Sequence, residues 1–136
     1  MVVRYDGGAH SRTSLFYHIV LVSKYRKKCF GGIESVVIDV FRLVEGVSDF
    51  KIVEIGIDLD DHVHLLIKAS PHRSVSSIVA RLKQLSHKEL WLREAKHLTN
   101  YFWGAKKKLW SNGYYCATVG VNDKATVRKY IRDQAK

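Results

Sequence analysis

Hydrophobic and polar positions alternate over residues 51–69 (KIVEIGIDLDDHVHLLIKA) in a pattern that predicts two β-strands joined by an acidic turn. Ile52, Val53, Ile55 and Ile57 give the first run its β-branched character, and Leu59-Asp60-Asp61 supplies the turn. In the second run His62, His64, Leu66 and Lys68 share one face, while Val63, Leu65, Ile67 and Ala69 share the other. Burying the aliphatic face leaves two imidazoles on the opposite surface, about 7 Å apart at Cα. Rings so placed can converge on one metal ion.

The same reading extends along the chain. Ser14–Lys24 is a continuous apolar and aromatic run, expected as a central strand, with His18 inside it read as structural. A basic loop with Tyr25, Arg26, Lys27 and Lys28 follows and ends at Gly31-Gly32. From Ile33 the period changes: Ile33, Val36, Val37, Val40, Phe41 and Val44 fall on one helical stripe that stops near Gly46. Ser70 and Pro71 break the chain, and Ser74 is placed to cap a second helix. Val75, Ile78, Val79, Leu82 and Leu85 form its apolar face, with Arg81, Lys83, His87 and Lys88 on the rest, and it runs towards Leu98. After Asn112-Gly113, Tyr114–Val119 reads as a strand. Residues 120–123 make a turn into a last helix, where Val127, Tyr130, Ile131 and Gln134 share a stripe. Residues 1–13 show no periodicity and read as a flexible arm. The order β-α-β-β-α-β-α predicts an α+β, ferredoxin-like (split βαβ) antiparallel sheet with helices on one face, plus a C-terminal tyrosine-bearing helix. One domain spanning 1–136 is expected, with the second sheet face free for a site.

Composition narrows the chemistry. Lys and Arg number 23 against 13 Asp and Glu, a formal net charge of +10. An excess of that size in a small domain favours a polyanion, usually nucleic acid. Lys24, Arg26, Lys27, Arg81, Lys83 and Lys88 are the candidate nucleic-acid contacts. The two cysteines, Cys29 and Cys116, form no C-x-x-C and are expected as free thiols. No apolar run approaches the roughly 20 residues that span a bilayer, and the N-terminal stretch lacks a signal-peptide core, so a cytoplasmic protein without membrane contact is expected.

The final helix adds a nucleophile. A tyrosine hydroxyl, with a pKa near 10, attacks only a well-positioned and activated electrophile. A metal on His62 and His64 supplies that activation at a phosphodiester, and the Gln134 carbonyl, one turn beyond Tyr130, can complete its coordination. By spacing alone, an amphipathic helix packing an aromatic residue accounts for Tyr130 and Gln134 as well.

The ordered motifs decide between these readings. FYHIVLVSKYRKKCF, DDHVHLLIKASP, VARLKQLSHKEL, LWSNGYYCATVG and VRKYIRDQ, covering about Phe16 to Gln134, resemble the single-tyrosine transposases of the insertion sequence 200/605 family. These are HUH (His-hydrophobic-His) endonucleases. The resemblance implies cleavage and rejoining of single-stranded DNA at hairpin-marked element ends. Tyr130 would form a 5′-phosphotyrosine intermediate, with Mg²⁺ or Mn²⁺ held by His62, His64 and Gln134. It further implies a homodimer with the tyrosine helices acting in trans. The family often reads Lys-Gly where this chain has Lys83-Gln84. The competing function is a non-catalytic ferredoxin-like module that binds single-stranded nucleic acid. Such a module calls for exposed aromatics on the middle strands, where this chain offers histidines and aliphatics. A metal-dependent hydrolase using water would instead need carboxylates beside the histidines, for which Asp60 and Asp61 are the candidates.

Overall fold

The computed structural model describes residues 14–104 and 107–134; the expected N-terminal arm lies outside the described residues. The strands are β1 (Leu15–Val22), β2 (Lys51–Asp58), β3 (His62–Ala69) and β4 (Tyr115–Val119). The helices are α1 (Glu34–Gly46), α2 (Val75–Leu98) and α3 (Lys124–Gln134), with short 3-10 turns at Lys24–Arg26 and Val121–Asp123. The sheet order is β2-β3-β1-β4 with every neighbouring pair antiparallel, the ferredoxin-like arrangement expected from the element order.

Strand parity sorts the side chains into two cores. Ile19, Leu21, Val63, Leu65 and Ile67 are fully buried, in the core shared with Val37, Val40 and Phe41 of α1 and Ile78 and Leu82 of α2. The opposite face carries a smaller cluster of Phe16, Leu66, Val119 and Ile131, with Val53 and Val127 packed against it. That face is therefore not free: α3 lies on it, because its apolar stripe needs a partner surface. Gly56 admits the helix. A Cβ there would stand 2.5 Å from the Ile131 carbonyl oxygen and 3.1 Å from its Cγ2.

The β2–β3 turn is tightly specified. Leu59 and Asp60 are both left-handed, with φ of 55° and 61°, and Asp61 N–H donates to the Asp58 carbonyl at 3.2 Å. Two successive positive φ values suit the right-handed twist of a hairpin but strain a leucine, at roughly 1–3 kcal/mol. Surrounding bonds hold the turn: Ser23 N–H to Asp61 O and Phe30 N–H to Asp60 O, each 3.0 Å, and Lys28 Nζ to Leu59 O at 3.0 Å. The residues leading into His62 thus have little freedom.

Ser74 caps α2 as expected, accepting from Ser77 N–H at 3.2 Å. The helix reaches Leu98 through one distorted residue, Glu94 (φ −129°, ψ 34°). Among the described residues no helix is long and apolar enough to cross a membrane.

Candidate active site

His62 opens β3, and the pinned turn places a carboxylate beside its ring. Asp61 Oδ1 lies 2.5 Å from His62 Nδ1, and Asp61 Oδ2 lies 3.1 Å from Lys28 Nζ. Burial would raise the Asp61 pKa, but hydrogen bonds from His62 and Lys28 outweigh it and lower the pKa overall. An ionised carboxylate only accepts, so His62 donates to it from Nδ1; in a neutral ring this leaves the lone pair on Nε2. Asp61 orients a ring.

His64 sits two residues on, with 7% of its surface exposed. Strand parity placed it on the face away from the main core as expected, but α3 covers it. Its Nδ1 lies 3.0 Å from His18 Nε2, and the two rings stack with centroids 5.2 Å apart. Its Nε2 is buried, with Asp58 Oδ2 3.5 Å away as an ion-pair partner and no closer acceptor bonded to it. Burial lowers the His64 pKa against the opposing pull of Asp58, and burial with the proximity of His64 lowers that of His18.

Tyr130 arrives from above. Its ring meets His64 at 6.0 Å and His18 at 6.2 Å between centroids, both edge-on. An open pocket between them is lined also by Val20, Tyr115 and Val127. Tyr130 is 49% exposed and lines this open pocket. α3 crosses the sheet from Phe16, whose ring lies under Lys124 Nζ, to His64. Gln134, half-buried, follows one turn beyond Tyr130. It forms no direct side-chain hydrogen bond with either imidazole among the described residues. Arg128 anchors the helix through Glu54 at 2.9 Å.

His18, expected from the sequence to be structural, stands beside His64 and Tyr130. The continuous apolar run of β1 conceals its parity; the register Val20↔His64 is what sets His18 beside the histidine face.

The two imidazoles fit a divalent ion through one shared feature. Each is held at Nδ1, and among the described residues neither Nε2 makes a close hydrogen bond, His64 Nε2 facing only the Asp58 carboxylate at 3.5 Å. Among the described residues no three His, Cys, Asp or Glu side chains form a metal-holding group, so His62 and His64 need ligands of another kind to complete a site.

The basic candidates divide into two groups. Arg81 is bound to Ser48 Oγ at 2.7 Å and to the Val47 carbonyl. Lys83 donates to Ser111 O at 2.8 Å and Gly113 O at 3.0 Å, and burial lowers its pKa. Both tie α2 to neighbouring loops. Lys24 and Lys27 instead lie over exposed rings, Tyr25 at 5.4 Å and Trp103 at 5.6 Å. Lys88 lines a groove with Trp91 and Lys107. Trp103 and Lys108, which also covers Tyr25, escaped the sequence reading because their loop has no period.

A ferredoxin-like sheet with an H-x-H pair beneath a tyrosine-bearing helix is the arrangement of the single-tyrosine HUH transposases. Residues 11–134 match the family described as "Transposase IS200 like", and the chain belongs to it. It is 32% identical over 127 residues to the transposase for insertion sequence element IS200 of Salmonella typhimurium, covering 93% of this chain and 80% of that one. With the ISDra2 transposase TnpA of Deinococcus radiodurans it shares 29% identity over 121 residues, 88% and 84% of the two chains. A crystal structure from Deinococcus radiodurans matches with a TM-score of 0.72 at 26% identity, over 95% of this chain and 97% of that one. A REP-associated tyrosine transposase bound to a REP hairpin shares the fold: TM-score 0.57, 15% identity, 96% and 70% coverage. At the level of the family, the chain is an enzyme of DNA transposition.

Proposed function

We propose that this protein cleaves and rejoins single-stranded DNA at hairpin-marked ends, with Tyr130 as nucleophile. The observation that carries this reading is the Tyr130 ring set over His64, in a pocket open to solvent. Tyr130 Oη attacks the scissile phosphorus, giving a 5′-phosphotyrosine and a free 3′-OH. The proton lost by the phenol balances the one gained by the departing 3′ oxygen. Another 3′-OH then attacks the phosphotyrosine and restores the tyrosine, so strands are rejoined without an external energy source. His62 and His64, with Gln134, would hold Mg²⁺ or Mn²⁺. When bound, the ion polarises a phosphodiester oxygen and offsets the charge developing on phosphorus. Lys24, Arg26, Lys27 and Lys88 contact phosphates, and Tyr25 and Trp103 offer faces on which unpaired bases stack. Lys83 lines a groove beside Lys24, while Arg81 is held by Ser48 and Val47.

The direct test incubates a labelled hairpin oligonucleotide with Mn²⁺ and resolves the products on a denaturing gel. A covalent protein–DNA band is expected. Free cleaved product indicates hydrolysis by water, and an unchanged substrate indicates a binding module. In the same assay His62→Ala and His64→Ala should lose metal-dependent cleavage, while Gln134→Ala loses it less completely. A wild-type Mn²⁺ titration curve from His64→Ala would remove that residue from the site.

The working form we propose is a homodimer with the tyrosine helices exchanged. Within the chain, Tyr130 reaches its own His64, and an exchanged helix would make the same contact on the partner sheet. Tyr130→Phe mixed with His64→Ala, each inactive alone, discriminates the two. In the exchanged arrangement, random subunit mixing regenerates about a quarter of the wild-type sites. No activity from a mixture shown to have exchanged subunits would reject the crossing.

A further inference from the structure

Once Tyr130, His62 and His64 have roles, the polar group bonded directly to one of the imidazoles still has none. His18 stands on β1, half-buried, with its Nε2 3.0 Å from His64 Nδ1. A neutral imidazole has one donating and one accepting nitrogen, so the direction of this bond fixes the other face of His64. If His18 donates, the His64 proton sits on Nε2 and points towards Asp58. If His18 accepts, the proton sits on Nδ1 and Nε2 presents a lone pair.

Only the second state can ligate a metal. His62 shows how the fold meets the same requirement next door, where Asp61 takes the Nδ1 proton. His64 has no carboxylate at Nδ1; it has His18. We propose that His18 is a positioning residue of the metal site, accepting the Nδ1 proton of His64 and so holding Nε2 open as a ligand. The inference rests on the metal-dependent reading above.

The surrounding groups support the assignment. Those facing His64 are His18, His62, Asp58 and the Tyr130 ring. Of these, His18 alone makes a hydrogen bond to Nδ1. Without metal, the Asp58 carboxylate 3.5 Å from Nε2 favours a proton there, and His18 then donates from its own Nε2. With metal, both rings move to their Nδ1–H tautomers. Each ring keeps one proton, so the pair follows the change with no net gain or loss. A carboxylate in place of His18 could only accept, and would add negative charge beside the scissile phosphate.

The test has two readouts apart from catalysis. In the Mg²⁺-loaded wild type, ¹H–¹⁵N long-range ring correlations should show His64 protonated at Nδ1 and bare at Nε2. For Mn²⁺ affinity, followed by calorimetry, His18→Phe keeps an aromatic ring but removes the acceptor. It should weaken binding by about 10- to 100-fold. His18→Gln, whose amide oxygen can accept near the same point, should restore binding to within a few-fold of wild type. A role in packing alone predicts the reverse order, with phenylalanine better than glutamine. The inference is overturned by a Nε2-protonated His64 in the Mg²⁺ form, or by wild-type Mn²⁺ affinity in His18→Phe. A wild type that binds Mn²⁺ no better than His64→Ala overturns the metal reading itself, and this inference falls with it.

Discussion

Tyr130→Phe should abolish the covalent adduct and strand cleavage while leaving hairpin affinity within a few-fold of wild type. The substitution removes one oxygen. The ring keeps its edge-on contacts with His64 and His18, and Tyr130 is 49% exposed, so no buried partner loses a hydrogen bond. Loss of a nucleophile that acts with its site as a unit costs on the order of 10⁴-fold or more. The measurement is adduct yield on the denaturing gel beside a binding curve for the same hairpin. The site also supplies the control. Tyr115 lines the same pocket, 5.8 Å from His18 between ring centroids, and is 56% exposed. Tyr115→Phe should retain the adduct. An adduct that survives Tyr130→Phe and disappears with Tyr115→Phe would transfer the nucleophile to β4.

The separation of main-core and site-face residues on β3 was legible because one period covers the whole strand. Val63, Leu65 and Ile67 had to go one way, and His62 and His64 the other. The Ser74 cap and the stripe of α1 were equally local signals. Three features were not. His18 lies in a run with no alternation, so only the pairing of β1 with β3 reveals its face. Asp61 could be read as a turn residue or a ring partner, and the choice depends on Leu59 and Asp60 both adopting positive φ. The sheet face expected to stay free is covered by α3, because the accommodating residue, Gly56, sits in the middle of a β-branched run. A glycine there marks a close backbone approach as readily as a bulge. Position 56 therefore carries information about α3, 75 residues later at Ile131, that no local pattern shows.

That coupling makes Gly56→Val a sharp test of the helix position. Valine suits a strand, and β2 pairs with β3 on both sides of this residue, so the sheet and its main core should persist. The added Cβ has no room. It would lie 2.5 Å from the Ile131 carbonyl oxygen, and backbone cannot swing aside as a long side chain can. Truncating the neighbour with Ile131→Ala gives no relief, since the nearest atom belongs to the main chain. The helix must lift, exposing Ile131, which is fully buried in the wild type. Giving up that burial costs roughly 1.5–3 kcal/mol, the range for one large aliphatic side chain. The catalytic loss should be greater. Displacing a reacting group by about 1 Å can cost 10²-fold, and Tyr130 adjoins the residue that is displaced. We expect adduct formation to fall at least about 100-fold, with amide exchange accelerated in α3 and unchanged in α1 and α2. The expectation holds whether α3 docks on its own sheet or on a partner's, because either docking brings Ile131 over Gly56. A Gly56→Val protein with wild-type adduct rate and a protected α3 would show that the tyrosine helix works from a different position.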